Sequence, residues 1–129
     1  MDKKMFCFQC EQTVGCAGCT GNAGVCGKKA DTARLQDELT GALIGLARAV
    51  DSTTAISKRT GQVIIEGLFT TVTNVNFDDA SIENMIQKVR AEKERLVPDC
   101  SKGQSPCGKT GEYDMQQLWN ANEDIRSLK

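Results

Sequence analysis

Apolar residues recur three or four apart along three long stretches of the chain. In the first, Leu35, Leu39, Ala42, Leu43, Leu46 and Val50 fall on one helical face, and Asp31 ahead of Thr32 reads as its N-cap. In the second, Ile56, Val63, Ile64, Leu68, Val72 and Val75 keep the same period behind Asp51-Ser52, which can cap it. Threonine and β-branched residues between Leu68 and Phe77 lower helix propensity there, but the period still predicts helix. The third stretch places Ile82, Met85, Ile86, Val89 and Leu96 on one face, with Asp78 and Asp79 as an acidic N-terminal cap and Pro98 as the stop. Its opposite face is strongly charged and reads as solvated. A last segment, Tyr113 to Lys129, offers Met115, Leu118, Trp119, Asn122 and Ile125 at helical spacing. It stops at Leu128-Lys129 with no glycine or proline, as a shortened piece or a fraying helix would.

This pattern predicts an all-α fold: a small antiparallel three-helix bundle with a short C-terminal helix, preceded by a Cys/Gly-rich loop. The expected organisation is one domain, with the loop over 1–30, the bundle over 31–97, a cysteine-bearing loop over 98–112 and the C-terminal helix over 113–129. Trp119 and Tyr113 are expected in packing contacts, and apolar positions left over on the last helix make self-association an expectation.

Composition narrows the function. In 129 residues the formal net charge is -1 and the 16 basic residues are scattered, so no nucleic-acid footprint is present. The longest apolar run, Gly41 to Val50, is broken by Arg48 and is too short to cross a bilayer. MDKKMFCFQC has no apolar h-region, which predicts a cytoplasmic protein. In that compartment seven cysteines point to metal or redox chemistry rather than a disulfide framework. With no histidine in the chain, a metal site must be all-thiolate, or thiolate with carboxylate. No paired carboxylates are arranged for acid–base work.

Five of the seven cysteines, Cys7, Cys10, Cys16, Cys19 and Cys26, lie between Met5 and Lys28 among five glycines. Two ligand sets can be drawn. Cys7-x2-Cys10 with Cys16-x2-Cys19 makes two close pairs, a tight version of a zinc knuckle that would give a zinc-stabilised structural or interaction domain. Cys7, Cys10, Cys19 and Cys26 make a wider, glycine-lined set suited to a bulkier group such as [4Fe–4S]. Backbone amides of such a loop can hydrogen-bond cluster sulfurs, and Lys3, Lys4, Lys28 and Lys29 flank it and can offset negative charge. Phe6, Phe8 and Val25 can shield one side. Spacing alone favours iron–sulfur over zinc only mildly, and a thiol switch through Cys7-x2-Cys10 is a third reading. Cys100 and Cys107 read as ordinary loop thiols, with ligands or a redox pair near the cluster loop as the alternative.

The stretch MFCFQCEQT…GCTGNAGVCGK resembles the N-terminus of the hybrid cluster proteins, also called prismane proteins or hydroxylamine reductases. ADTARLQDELTGALIGLA, GLFTTVTNVNFD and NEDIRSLK continue the likeness in order, and residues 98–117 are the part it does not cover. The resemblance implies that Cys7, Cys10, Cys19 and Cys26 hold the family's N-terminal iron–sulfur cluster, a cubane in one class and [2Fe–2S] in some bacterial members. The compact spacing here is similar to the cubane class. The six residues between Cys19 and Cys26 are one more than that class leaves, and Cys16 stands where the family has no cysteine and is an alternative ligand. The family's hydroxylamine chemistry takes place at a separate hybrid cluster held by histidine, glutamates and cysteines of later domains. A chain without histidine does not supply that set. The resemblance therefore implies an electron-transfer module. It would take electrons from a redox partner protein and relay them to a hybrid cluster in later domains absent from this chain.

Overall fold

The computed structural model describes residues 6–7, 9–10, 18–51, 56–73, 77–97 and 115–121, with backbone alone for Met115, Gln116 and Leu118. Within these residues the chain forms four helices: α1 (Ala30–Asp51), α2 (Lys58–Val72), α3 (Asp79–Leu96) and the short α4 (Met115–Asn120). The predicted all-α bundle is the architecture found.

α1 is rich in alanine and leucine, carries Asp31 in its first turn and Arg48 in its last, and so matches the helix dipole at both ends. It starts at Ala30, so Asp31 lies inside the first turn instead of capping it. α2 starts later than Asp51-Ser52 suggests. Its N-cap is Ser57, whose hydroxyl accepts the Thr60 amide at 3.1 Å. It also ends earlier, at Val72. The hydroxyls of Thr70 and Thr73 donate to the carbonyls of Glu66 and Phe69, and Thr73 closes the helix in an extended conformation. Val75 lies outside the described residues. α3 begins as its acidic start predicts, with Asp78 accepting the amides of Ala80 and Ser81.

Cross-helix contacts fix the directions. Thr60 and Glu66 of α2 meet Glu92 and Lys88 of α3, a descending register that makes the two antiparallel. Thr32 and Glu38 of α1 meet Asp79 and Arg90 of α3, an ascending register that makes those two parallel. The bundle runs up, down, up. Its core is Leu39, Ala42, Leu43 and Leu46 of α1, Val63 of α2, and Ile82, Met85, Ile86 and Val89 of α3. Gly67 lets α2 approach α1 closely: a Cβ there would sit 2.7 Å from Leu43 Cδ2. The predicted inner face of α2 is only half right. Val63 is buried and Ile64 partly buried, but Ile56, Leu68 and Val72 are exposed together with Ile65 and Phe69.

Among the described residues Lys28, Thr32, Gln36, Thr60 and Glu92 are buried polar side chains. Gln36 and Thr60 are fully buried, and the Glu92 side chain is 1% exposed. Glu92 corrects the expectation that the charges of the third helix are all solvated. It accepts from Thr60 Oγ1 at 2.7 Å, from Arg95 Nη2 at 2.5 Å and from Arg59 Nε at 3.2 Å. The Arg95 hydrogen bonds outweigh the effect of burial and hold the carboxyl at about 2. At the other end of the bundle Thr32 Oγ1 donates to Asp79 Oδ1 at 2.6 Å, joining the starts of α1 and α3. The cysteine loop feeds into α1 at this end.

Candidate metal centre

Two short backbone pairings shape the described part of the loop. Cys7 and Cys19 exchange both backbone hydrogen bonds, at 3.0 and 2.7 Å, in an antiparallel bridge. Residues paired this way put their side chains on the same face of the ladder, so the bridge presents the two thiols together. Gly18, just before Cys19, has φ +78°, a conformation that a residue with a Cβ adopts only with strain. A second bridge joins Ala23 and Lys29. Between them Gly24 N donates to Lys28 O at 2.8 Å and Gly27 N to Gly24 O at 2.9 Å, with Gly27 at φ +86°. This is a three-residue hairpin loop closed by a left-handed glycine, with Val25 and Cys26 at its tip.

Cys7, Cys10 and Cys19 are half-buried, Cys26 is exposed, and all four are free thiols. Among the described residues no three thiol or carboxylate side chains converge closely enough to share one metal ion. Three members of the zinc-type set, Cys7, Cys10 and Cys19, are among them. The donor chemistry fits a metal ion or cluster held by thiolates: four free thiols, two of them on one face of a bridge, and no imidazole in the chain. Cys16, Cys100 and Cys107 lie outside the described residues.

The surroundings differ from the expectation in instructive ways. Of the four flanking lysines, Lys3 and Lys4 lie outside the described residues and Lys29 is exposed, but Lys28 is 1% exposed. Its ammonium donates to Gln36 Oε1 at 2.5 Å, to Gln9 Oε1 at 2.9 Å and to Cys7 Sγ at 3.6 Å. Val25 does not shield the site, being 62% exposed at the hairpin tip, and Phe8 lies outside the described residues. Phe6 is buried instead, under the loop. It meets Trp119 of α4 edge-on, with ring centroids 6.2 Å apart.

Trp119 packs as its spacing predicts, and anchors α4 to α1. Its indole N–H donates to Asp37 Oδ2 at 2.8 Å, and the Arg34 guanidinium lies 4.7 Å from its ring centroid. Burial pushes the Asp37 carboxyl up to about 6, although the Trp119 hydrogen bond and the charge of Lys28 both act to lower it. Asp37, Gln36, Arg34 and Gln9 were not apparent as site residues from the sequence. Gln36 did leave a signal, because it lies on the same helical face as Leu39 and Leu43.

A cysteine-rich loop with a buried lysine at its base, seated at one end of a helical bundle, is the architecture into which the comparisons with known proteins fit. The chain belongs to the Prismane/CO dehydrogenase family, whose model matches residues 5–129. That match runs through residues 98–117, where no likeness was apparent in the sequence. The chain is 38% identical to the hydroxylamine reductase of Clostridium perfringens, over 97% of this chain and 26% of that protein. It is 38% identical to the hydroxylamine reductase of Porphyromonas gingivalis, over 100% of this chain and 27% of that protein. With the hydroxylamine reductase of Methanocella arvoryzae the identity is 47%, over 71% of this chain and 17% of that protein. The chain thus spans about a quarter of the length of the curated relatives it matches. Among its described residues no helix is long and apolar enough to cross a membrane.

Proposed function

We propose that this chain is an iron–sulfur electron-transfer module of the hydroxylamine reductase type, with Cys7, Cys10, Cys19 and Cys26 as the ligands of a [4Fe–4S] cluster. The observation that carries the reading is the Cys7–Cys19 bridge with the buried Lys28 ammonium 3.6 Å from Cys7 Sγ. A cation placed inside a thiol loop suits an anionic thiolate-ligated cluster. The relatives named hydroxylamine reductase supply the redox context.

A cluster bound here would accept and release one electron at a time. The residues around it fix its position and environment. The bridge and the Gly27 hairpin set the spacing of the thiols, the Phe6–Trp119 contact ties the start of the loop to α4, and Lys28 offsets charge at Cys7. Cys26 at the exposed tip marks the side nearest solvent, where a redox partner protein would approach. The onward acceptor is a hybrid cluster held by regions of the longer proteins that this chain does not span, where hydroxylamine is reduced.

A cysteine scan tests the ligand set. Anaerobically reconstituted Cys7→Ser, Cys10→Ser, Cys19→Ser and Cys26→Ser should each lose or convert the cluster, read as iron and sulfide content and visible absorbance. Cys16→Ser, Cys100→Ser and Cys107→Ser should retain it. Loss on Cys16→Ser with retention on Cys26→Ser would overturn the assignment.

A further inference from the structure

We propose that Lys28 is a positioning residue for the thiolate centre: its buried ammonium, hydrogen-bonded to Cys7, raises the reduction potential of the bound cluster. The inference rests on the cluster reading above and extends it to a residue outside the ligand set.

Lysine is almost never fully buried unless its charge is matched. The Lys28 ammonium has three donors, and among the described residues three acceptors surround it: Gln36 Oε1 at 2.5 Å, Gln9 Oε1 at 2.9 Å and Cys7 Sγ at 3.6 Å. The two glutamines are neutral, so they orient the cation without cancelling its charge. Of these three described acceptors the sulfur is the one that becomes an anion when it ligates a metal. Asp37 lies within electrostatic reach, but its Oδ2 accepts from the Trp119 indole instead.

The fold aims this cation on purpose-built geometry. Gln36 holds it from the first turns of α1, and Gln9 holds it from a position two residues past Cys7. The left-handed turn at Gly27 separates Cys26, exposed at the hairpin tip, from Lys28, which points inward from the same hairpin. Lys29, the next residue, stays in solvent. One hairpin therefore delivers both a ligand thiol and the compensating charge for a different ligand thiol.

Adding an electron makes a thiolate-ligated cluster more negative, and a fixed cation hydrogen-bonded to a ligand sulfur stabilises the reduced form more than the oxidised form. Removing that cation should lower the potential.

The test compares anaerobically reconstituted wild-type protein with Lys28→Gln and Lys28→Met, measuring iron and sulfide content, far-UV circular dichroism and the midpoint potential of the cluster. Lys28→Gln removes the charge but keeps a polar group for Gln9 and Gln36, so the result survives if Lys28→Met fails to fold. The expected result is wild-type iron and sulfide with a lower midpoint. At the wild-type midpoint the ratio of reduced to oxidised cluster should fall about tenfold, which is about 59 mV for a one-electron couple. An unchanged midpoint at full iron content would overturn the proposal and leave Lys28 as a packing residue balanced by Asp37. Folded variants that retain no iron or sulfide would overturn the tuning role as well. Wild-type protein lacking iron and sulfide would instead overturn the cluster reading itself, and the role of Lys28 with it.

Discussion

Replacing Glu92 with glutamine removes one negative charge from inside the bundle while nearly preserving shape. Glu92 Oε1 accepts from Thr60 Oγ1 and Arg95 Nη2, and Oε2 accepts from Arg95 Nε at 3.2 Å and Arg59 Nε at 3.2 Å. Breaking a fully buried ion pair costs about 3–5 kcal/mol, because one charge is stranded. Here the guanidinium partners are 74% and 46% exposed, so water re-solvates them and the loss is smaller. One carbonyl oxygen of the new amide can still accept from Thr60. A net loss of about 2 kcal/mol follows, close to one charge-assisted hydrogen bond of about 1.5–3 kcal/mol. Urea unfolding followed by circular dichroism at neutral pH should show the midpoint falling by about 1 M for a slope of about 2 kcal/mol/M. The pH dependence gives a second check. The folded carboxyl is held at about 2, below its ordinary value of 4.5, so its contribution is complete above pH 4.5 and is lost as pH falls toward 2. The gap between wild type and Glu92→Gln should therefore close across that window. Equal stability at pH 7, or a gap that persists unchanged at pH 2, would refute the role given to Glu92.

Asp37 should show the opposite slope. Its folded value of about 6 lies above the ordinary 3.8, so its contribution is complete below pH 3.8 and is lost as pH rises through 6; Asp37→Asn should remove that decline in a pH series of urea midpoints. Trp119→Phe takes away a hydrogen bond that lowers this value and should move the same step to higher pH. The two α2 glycines should diverge in thermal melts. Nothing lies within 4 Å of a Cβ at Gly61, so Gly61→Ala should stabilise by up to about 1 kcal/mol, whereas Gly67→Ala meets Leu43 and should lose about 1–3 kcal/mol to overpacking. Leu46→Ala, at a fully buried position of the core, should cost about 2–5 kcal/mol by the same melts.

The bundle was legible because Leu39, Leu43, Leu46, Ile82, Ile86 and Val89 repeat at helical spacing and no competing pattern crosses them. The start of α2 was not. Asp51-Ser52 and Ser57 are equally good caps in sequence, and only the packed position of Thr60 beside Glu92 selects Ser57. The same limit hid the buried polar groups. Thr60 and Glu92 share the faces of Val63 and Val89, but a polar residue at a core position declares itself only when its partner is known, and that partner is 32 residues away. Asp37 and Trp119 are 82 residues apart, beyond any local pattern. Around the site, the cysteine spacing was readable at once. The difference between Lys28 and Lys29 was not, because it depends on the handedness of the turn at Gly27.

That turn also links the scaffold to the chemistry. The core of α1 places Gln36, Gln36 and Gln9 place the Lys28 ammonium, and the ammonium lies against Cys7, which the bridge pairs with Cys19. Each step uses a side chain in a fixed position. Cys7, and Cys19 through the bridge, are therefore tied to the bundle by defined contacts.

Iron and acid-labile sulfide in anaerobically purified protein test the central claim most directly. The account predicts a brown protein with broad visible absorbance and iron and sulfide in near-equal amounts, about four of each per chain. A colourless protein with stoichiometric zinc and no sulfide would contradict it.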